Sequence, residues 1–314
     1  MNLSDHPLWC EKYRPMKVAD TILPDNLKNI FQSFVNNKSI PNLILSGTSG
    51  VGKTTIARAM LEELGCDYMI INGSLEGRLI DTLRVQLQEY ASSISIMGGR
   101  KYIIIDESDH LGPAVQPALR NMMEDLSDNC GFILTCNYKN KIIDPLKSRC
   151  SVIDFKIEKE DKPKIASQIM KRLIYILDQE QVKYDKETLV GLIKKHMPDW
   201  RRIINEIQVY SSFNSEINSG IMSSSSGSID KVFEYLKDKD FTSLRKWIGE
   251  NADQSSDNLF SELYNIGMEK ITKESIPNWI SIIAENQYRL AFVSNPEITL
   301  SSMMLQLMVN CTLK

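Results

Sequence analysis

The chain has 314 residues, of which 42% are hydrophobic, 25% charged and 8% aromatic; this excludes a disordered, collagen-like or disulfide-scaffold protein and suits two or three domains. Lysines and arginines number 37 against 40 aspartates and glutamates, a formal net charge of −3, which excludes a chain that coats nucleic acid wholesale. No stretch reaches the ~18–20 apolar residues needed to cross a bilayer, and the opening MNLSDHPLWCEKYRP lacks a basic start followed by an apolar run, so the expected compartment is the cytosol and no membrane partner is expected.

The first half alternates strand-like with helix-like segments. Asn42–Ser46 is a short apolar run, followed by a glycine-rich loop and a helical stretch from about Lys53 to Leu64. Tyr68–Asn72 is a second apolar run, and a helical pattern covers roughly Leu79 to Ser92. Lys101–Asp106 is a β-branched run ending in an acid, Pro113–Leu126 reads as a helix, and Phe132–Cys136 and Ser151–Phe155 are further strand-like runs. Short, nearly all-apolar strands separated by helices predict a parallel sheet covered on both faces, a doubly wound α/β domain over residues 1–155. Its ligand would sit at the strand tips. Residues 156–218 read as a helical bundle, broken near Gln181–Asp185 and Met197–Asp199. SGIMSSSSGS, residues 219–228, is the one low-complexity stretch and reads as a Ser/Gly linker. Residues 229–314 are helical again. The basic and acidic counts are 16 and 18 before residue 156, 12 and 10 over 156–218, and 9 and 12 beyond, so no block is a polyanion magnet. The six cysteines form no C-x-x-C pair and the three histidines lie far from ligand spacing, so reduced thiols are expected rather than a zinc site.

Gly47-Thr48-Ser49-Gly50-Val51-Gly52-Lys53-Thr54 fits G-x-x-x-x-G-K-[ST] between a strand-like run and a helix, the context this phosphate-binding loop requires. Glycines let backbone N–H groups approach phosphate oxygens, and the helix N-terminus adds a favourable dipole. Lys53 is expected to reach the β- and γ-phosphates of ATP, and Thr54 to ligate Mg²⁺. Asp106 at the tip of an apolar strand would hold the same Mg²⁺ through its hydration shell, and Glu107 is placed to orient and deprotonate the attacking water. Asn137, ending the Phe132–Cys136 run, could hold that water or the γ-phosphate, or be a turn-forming asparagine. Arg149, in Ser148-Arg149-Cys150, cannot easily reach its own phosphates. Either a neighbouring subunit uses it as an arginine finger or it is a surface arginine. Arg201, in Pro198-Asp199-Trp200-Arg201-Arg202, could fold back on the nucleotide.

With these motifs in place, the chain resembles a clamp-loader ATPase subunit of the AAA+ superfamily, the group containing replication factor C, and within it the large subunits of T-even-type phages. The features that carry the resemblance are Trp9–Pro15 (WCEKYRP), Gly47–Thr54, Asp106–Asp109 (DESD), Ala118–Glu124 (ALRNMME), Ser148–Cys150 (SRC) and Asp199–Asn205 (DWRRIIN), in the family's order. It implies a P-loop domain followed by a helical lid and an all-α collar that joins subunits. It implies that Tyr13, Arg14 and Pro15 lie over adenine and ribose, with Thr55 beside Thr54 in the ATP site. Asn137 resembles sensor 1, Arg149 the finger acting in trans, and Arg201 sensor 2. The implied partners are further copies of this chain with an accessory subunit, a sliding clamp and primer–template DNA, in the cytoplasm of a phage-infected host. Arg78, Arg84, Arg100, Lys101, Gln116 and Arg120 fall in regions that face DNA or neighbouring subunits, though any one of them can be solvated surface. Ser108 and Pro198-Asp199-Trp200 depart from the usual family residues. A catalytically silent scaffold, another AAA+ machine and a small-molecule kinase are the competing readings.

Overall fold

The computed structural model describes residues 6–74, 80–93, 95, 99–251, 256–290, 292–293 and 295–314. It divides into two compact units, Met1–Asn218 and Ser219–Lys314.

The first unit is built on five parallel strands, β1 (Leu43–Ser46), β2 (Tyr68–Asn72), β3 (Lys101–Asp106), β4 (Cys130–Cys136) and β5 (Ser151–Asp154), in the order β2-β3-β4-β1-β5. Every β4 residue and all of β3 but Asp106 is buried. That explains their unbroken apolar character, since strands covered on both faces have no solvent side on which to place polar residues. Period-two alternation sorts the side chains between the faces. Leu43, Leu45 and Ile104 join one cluster, with Phe31 from α2 (Asp25–Asn36) and Ile56 and Met60 from α3 (Lys53–Leu64). Ile44, Ile103 and Ile105 join the other, with Leu87 from α4 (Ile80–Ser92), Leu119 from α5 (Val115–Asp125) and Leu146 from α6 (Asp144–Lys147). Helix α3 starts at Gly52 and stops at Gly65, both with left-handed backbone, the usual glycine terminator in the second case.

Residues expected as a second helical domain form α7 (Lys162–Gln179), α8 (Lys186–His196) and α9 (Trp200–Phe213) within the first unit. They also hold a two-stranded parallel pair, β6 (Lys183–Tyr184) with β7 (Glu216–Ile217), which the sequence pattern does not reveal because each strand is only two residues long. The short helix α1 (Trp9–Lys12) docks on α9, with Trp9 buried and its backbone N–H donating to Gln208.

The second unit contains α10 (Gly220–Asp238), α11 (Phe241–Asn251), α12 (Ser256–Lys270), α13 (Ile276–Leu290) and α14 (Pro296–Asn310). The Ser/Gly stretch expected as a linker lies inside α10 instead. Serine costs a helix only about 0.5 kcal/mol against alanine. The same helix continues into Ile229, Val232, Phe233 and Leu236, all buried, so packing further along offsets the weak local propensity. Trp279 is fully buried at the centre of this unit, stacked on Phe233 at 5.8 Å.

Gly267 on α12 lies against Trp279, and a Cβ there would come within 2.5 Å of the indole nitrogen. Helix propensity favours alanine by about 1 kcal/mol, whereas overpacking costs about 1–3 kcal/mol. Gly267→Ala is therefore expected to lower the melting temperature of the second unit, measured by thermal denaturation. An unchanged or raised melting point would mean the indole yields.

Candidate ATP site at the strand tips

The carboxyl ends of β1, β3 and β4 converge on one open-mouthed cavity. The loop after β1 supplies Ser49, Gly50, Gly52, Lys53, Thr54 and Thr55 to its wall. Gly50 has a φ of +75°, and a Cβ there would fall 1.8 Å from the Asp199 carboxylate. Only glycine satisfies both constraints. Val51 points into the core instead.

The lysine and both polar strand ends are joined by short hydrogen bonds. Lys53 Nζ donates to the carbonyls of Gly47 (2.7 Å) and Thr48 (2.8 Å) and to Asn137 Oδ1 (2.8 Å). Burial holds its ammonium below the usual lysine range. Thr54 Oγ1 donates to Asp106 Oδ1 at 2.8 Å. Thr135, buried on β4, also donates to Asp106 Oδ1 and accepts from the Glu107 backbone N–H at 3.1 Å. Glu107 has a φ of +54°, a conformation uncommon outside glycine, and its carboxylate accepts from the Ser74 hydroxyl. Asp109 Oδ2 accepts from the backbone N–H groups of Asn137 (3.2 Å) and Tyr138 (3.1 Å), fixing the turn after β4.

The N-terminal segment and the helices after β5 complete the wall. Tyr13, Arg14 and Pro15 line the cavity, as do Arg172, Trp200 and Arg201. Arg14 pairs with Glu11 and donates to Thr55 Oγ1 at 3.3 Å. Arg172 on α7 donates to the Tyr13 carbonyl, and Lys12 and Tyr13 both donate to Glu180. The Trp200 N–H donates to the Gly50 carbonyl at 3.2 Å, and Asp199 caps α9 by accepting from the Arg202 N–H at 3.0 Å. The cap lies three residues before Arg202, and of the two adjacent arginines it is Arg201 that lines the cavity.

The donor set fits the groups the motifs imply. A lysine, a helix N-terminus and a loop of backbone N–H groups suit a polyphosphate. A hydroxyl and a carboxylate oxygen in mutual contact suit Mg²⁺, which takes one or two protein oxygens and leaves the rest to phosphate and water. Among the described residues no group of three or more His, Cys, Asp or Glu gathers as a metal cage.

The remaining expected residues lie elsewhere. Arg149 is not in the cavity wall. Its guanidinium is held by Glu124 and by the Pro145 carbonyl. Cys150 beside it packs on the core, and burial pushes its thiol up to about 12, well away from reactivity. Gln116 is 4% exposed and bonded to the backbone at Leu111, Lys141 and Ile143. Lys101 is also 4% exposed, with its ammonium bonded to Tyr90 and Ser93. Both are turned inward as braces, where DNA-facing, subunit-facing or solvated surface positions were the alternatives. Arg84 is exposed, Arg120 is half-buried and bonded to Asn121, and Arg100 donates to the Ser127 and Cys130 carbonyls. Arg78 lies outside the described residues. Thr135, Ser74, Asp109 and Arg172 were not foreseen. Of these, Thr135 is signalled in the sequence as the polar residue next to last in the apolar run FILTC, and Asp109 as the last residue of DESD.

A parallel sheet whose phosphate loop joins its lysine to Asn137 and its threonine to the strand-tip acid Asp106 defines the class, an AAA+ P-loop ATPase. The AAA ATPase family signature matches residues 43–160. A solved mutant of Thermotoga maritima RuvB shares the fold, with a TM-score of 0.52 at 19% identity over 66% of this chain and 71% of that one. The lid and C-terminal domain signatures of sliding-clamp-loader large subunits match residues 161–223 and 256–312. The sliding-clamp-loader large subunit of Enterobacteria phage T4 is 37% identical, covering 98% of this chain and 97% of its own, and that of Escherichia phage RB69 is 36% identical, covering 100% and 99%. The replication factor C small subunit of Methanothermobacter thermautotrophicus is 29% identical over 94% and 96%. The chain belongs to the sliding-clamp-loader large-subunit family of AAA+ ATPases.

Asp199→Ala removes the α9 cap and should cost about 0.5–2 kcal/mol, read as a fall in melting temperature, with Asp199→Asn retaining most of it. Equal stability of the alanine variant would show that the cap contributes nothing.

Proposed function

We propose that this chain binds ATP with Mg²⁺ at the strand-tip cavity and hydrolyses it between neighbouring subunits of a clamp loader, so that a sliding clamp is opened and released on primer–template DNA. The observation that carries this reading is the joining of Lys53 to Asn137 and of Thr54 to Asp106, each at 2.8 Å, in one cavity. These are the groups that phosphoryl transfer needs at the β- and γ-phosphates.

Backbone N–H groups of the loop and the dipole of α3 hold the phosphates, while Lys53 exchanges its loop carbonyls for phosphate oxygens. Mg²⁺, when bound, would neutralise charge on the β- and γ-oxygens. Thr54 and Asp106 would hold it, with Asp106 aimed by Thr135. Glu107 accepts the proton of the attacking water, and Asn137 orients that water or the γ-phosphate. Tyr13, Arg14 and Pro15 cover the base and ribose, and Arg201 from α9 reports that the nucleotide is present. A charge-neutralising arginine for the γ-phosphate comes from Arg149 of the next copy, since this chain's own Arg149 is engaged outside the cavity. DNA contact is summed over several copies from a few basic groups such as Arg84 and Arg120, which accords with a net charge of −3. An accessory subunit completes the assembly, which works in the cytoplasm of the infected cell.

Arg149→Ala should lower DNA-stimulated turnover by about 10³-fold or more and leave ATP affinity within about threefold. Glu107→Gln should also bind ATP and fail to turn over, whereas Lys53→Ala should lose both. Steady-state hydrolysis and a fluorescent-nucleotide titration separate these cases. A severe loss of ATP affinity in Arg149→Ala would overturn the assignment of that residue.

A further inference from the structure

Glu124 lies in the last turn of α5, and Arg149 follows α6. The Arg149 Nε–H donates to Glu124 Oε1 at 2.6 Å, Nη2 donates to the same oxygen, and Nη1 donates to the Pro145 carbonyl at 3.0 Å. A guanidinium is a rigid plane with five N–H groups. Gripping it along its Nε–Nη2 edge and at one Nη1 hydrogen fixes the plane and leaves one further N–H on each of Nη1 and Nη2, the two nitrogens of the terminal edge. That terminal edge is the one that engages a phosphate side by side.

From this geometry we infer that Glu124 is a positioning residue for hydrolysis at the neighbouring subunit's site: it presets the Arg149 guanidinium so that its terminal edge meets the γ-phosphate bound next door. The inference rests on the reading of Arg149 as a residue acting in trans. The side chains are 32% and 52% exposed, and a pair that open to solvent adds little to stability. Its use is therefore geometric. Without the grip, an exposed arginine samples many rotamers, and the γ-phosphate must wait for one of them. The base beneath the pair is rigid. Leu146 on α6 and Leu119 and Met123 on α5 are buried in one cluster with the flank of Cys150, so both partners are held from below while their charged ends stay outside.

The test uses the full-length chain with a primer–template oligonucleotide, at protein concentrations where the rate per chain no longer rises. Glu124→Ala is expected to turn over about 10- to 100-fold more slowly at saturating ATP, with the KM for ATP within about twofold and the melting temperature unchanged. Glu124→Gln keeps an acceptor oxygen and should recover most of the rate. The double variant Glu124→Ala/Arg149→Ala should be no slower than Arg149→Ala alone, because Glu124 acts only through Arg149. A Glu124→Ala rate at or above that of the unaltered chain, or a further loss in the double variant, would overturn the inference while leaving the role of Arg149 standing. A normal rate in Arg149→Ala would instead remove the reading on which it rests.

Discussion

The contact from Thr54 to Asp106 is the constraint on which the rest of the site depends. It joins the first turn of α3 to the tip of β3, yet β1 and β3 are not neighbours in the sheet. Strand β4 lies between them and stitches both sides: Thr135 reaches Asp106, and Asn137 reaches Lys53. Fuel chemistry is thus spread over three strand ends, each delivered by a separate crossover, in the crevice where doubly wound sheets bind ligands. The strands can be aimed this well because β3 and β4 are buried over almost their whole length. A tip set on a close-packed core has little freedom to drift.

The same cavity is closed by parts of the chain distant in sequence. The Trp200 backbone N–H donates to the Gly50 carbonyl, and Arg172 and Glu180 of the region after β5 grip the segment containing Lys12 and Tyr13. Loop, lid helices and N-terminal segment therefore share hydrogen bonds around one cavity. In the proposed function this is what converts nucleotide binding into a change of shape, because a ligand that presses on the loop also presses on the elements bonded to it.

Much of this was legible beforehand, for physical reasons. Strands β2 and β3 have the bounds their apolar runs suggest; β3, buried on both faces, writes itself as an unbroken hydrophobic stretch, whereas β2 at the sheet edge is only half-buried. Lys53, Thr54 and Asp106 were visible because the spacing of a phosphate loop is short and local. What escaped notice depends on contacts across the sheet. Thr135 looks like part of a β-branched run until Asp106 is placed beside it, and Gln116 looks like a surface amide until three backbone groups close around it. Residues 219–228 read as a linker because composition reports local stiffness, whereas the helix there is anchored by apolar residues further along.

The central claim is that each copy holds its own ATP and borrows an arginine from the next. It is tested most directly by mixing two inactive full-length variants, Lys53→Ala, which keeps Arg149 but cannot hold ATP, and Arg149→Ala, which holds ATP but lends nothing. Turnover should reappear in the mixture, with the Arg149→Ala copies hydrolysing ATP against arginines supplied by their Lys53→Ala neighbours. A mixture as inactive as its components at every ratio, under conditions where the two variants are shown to co-assemble, would contradict the account.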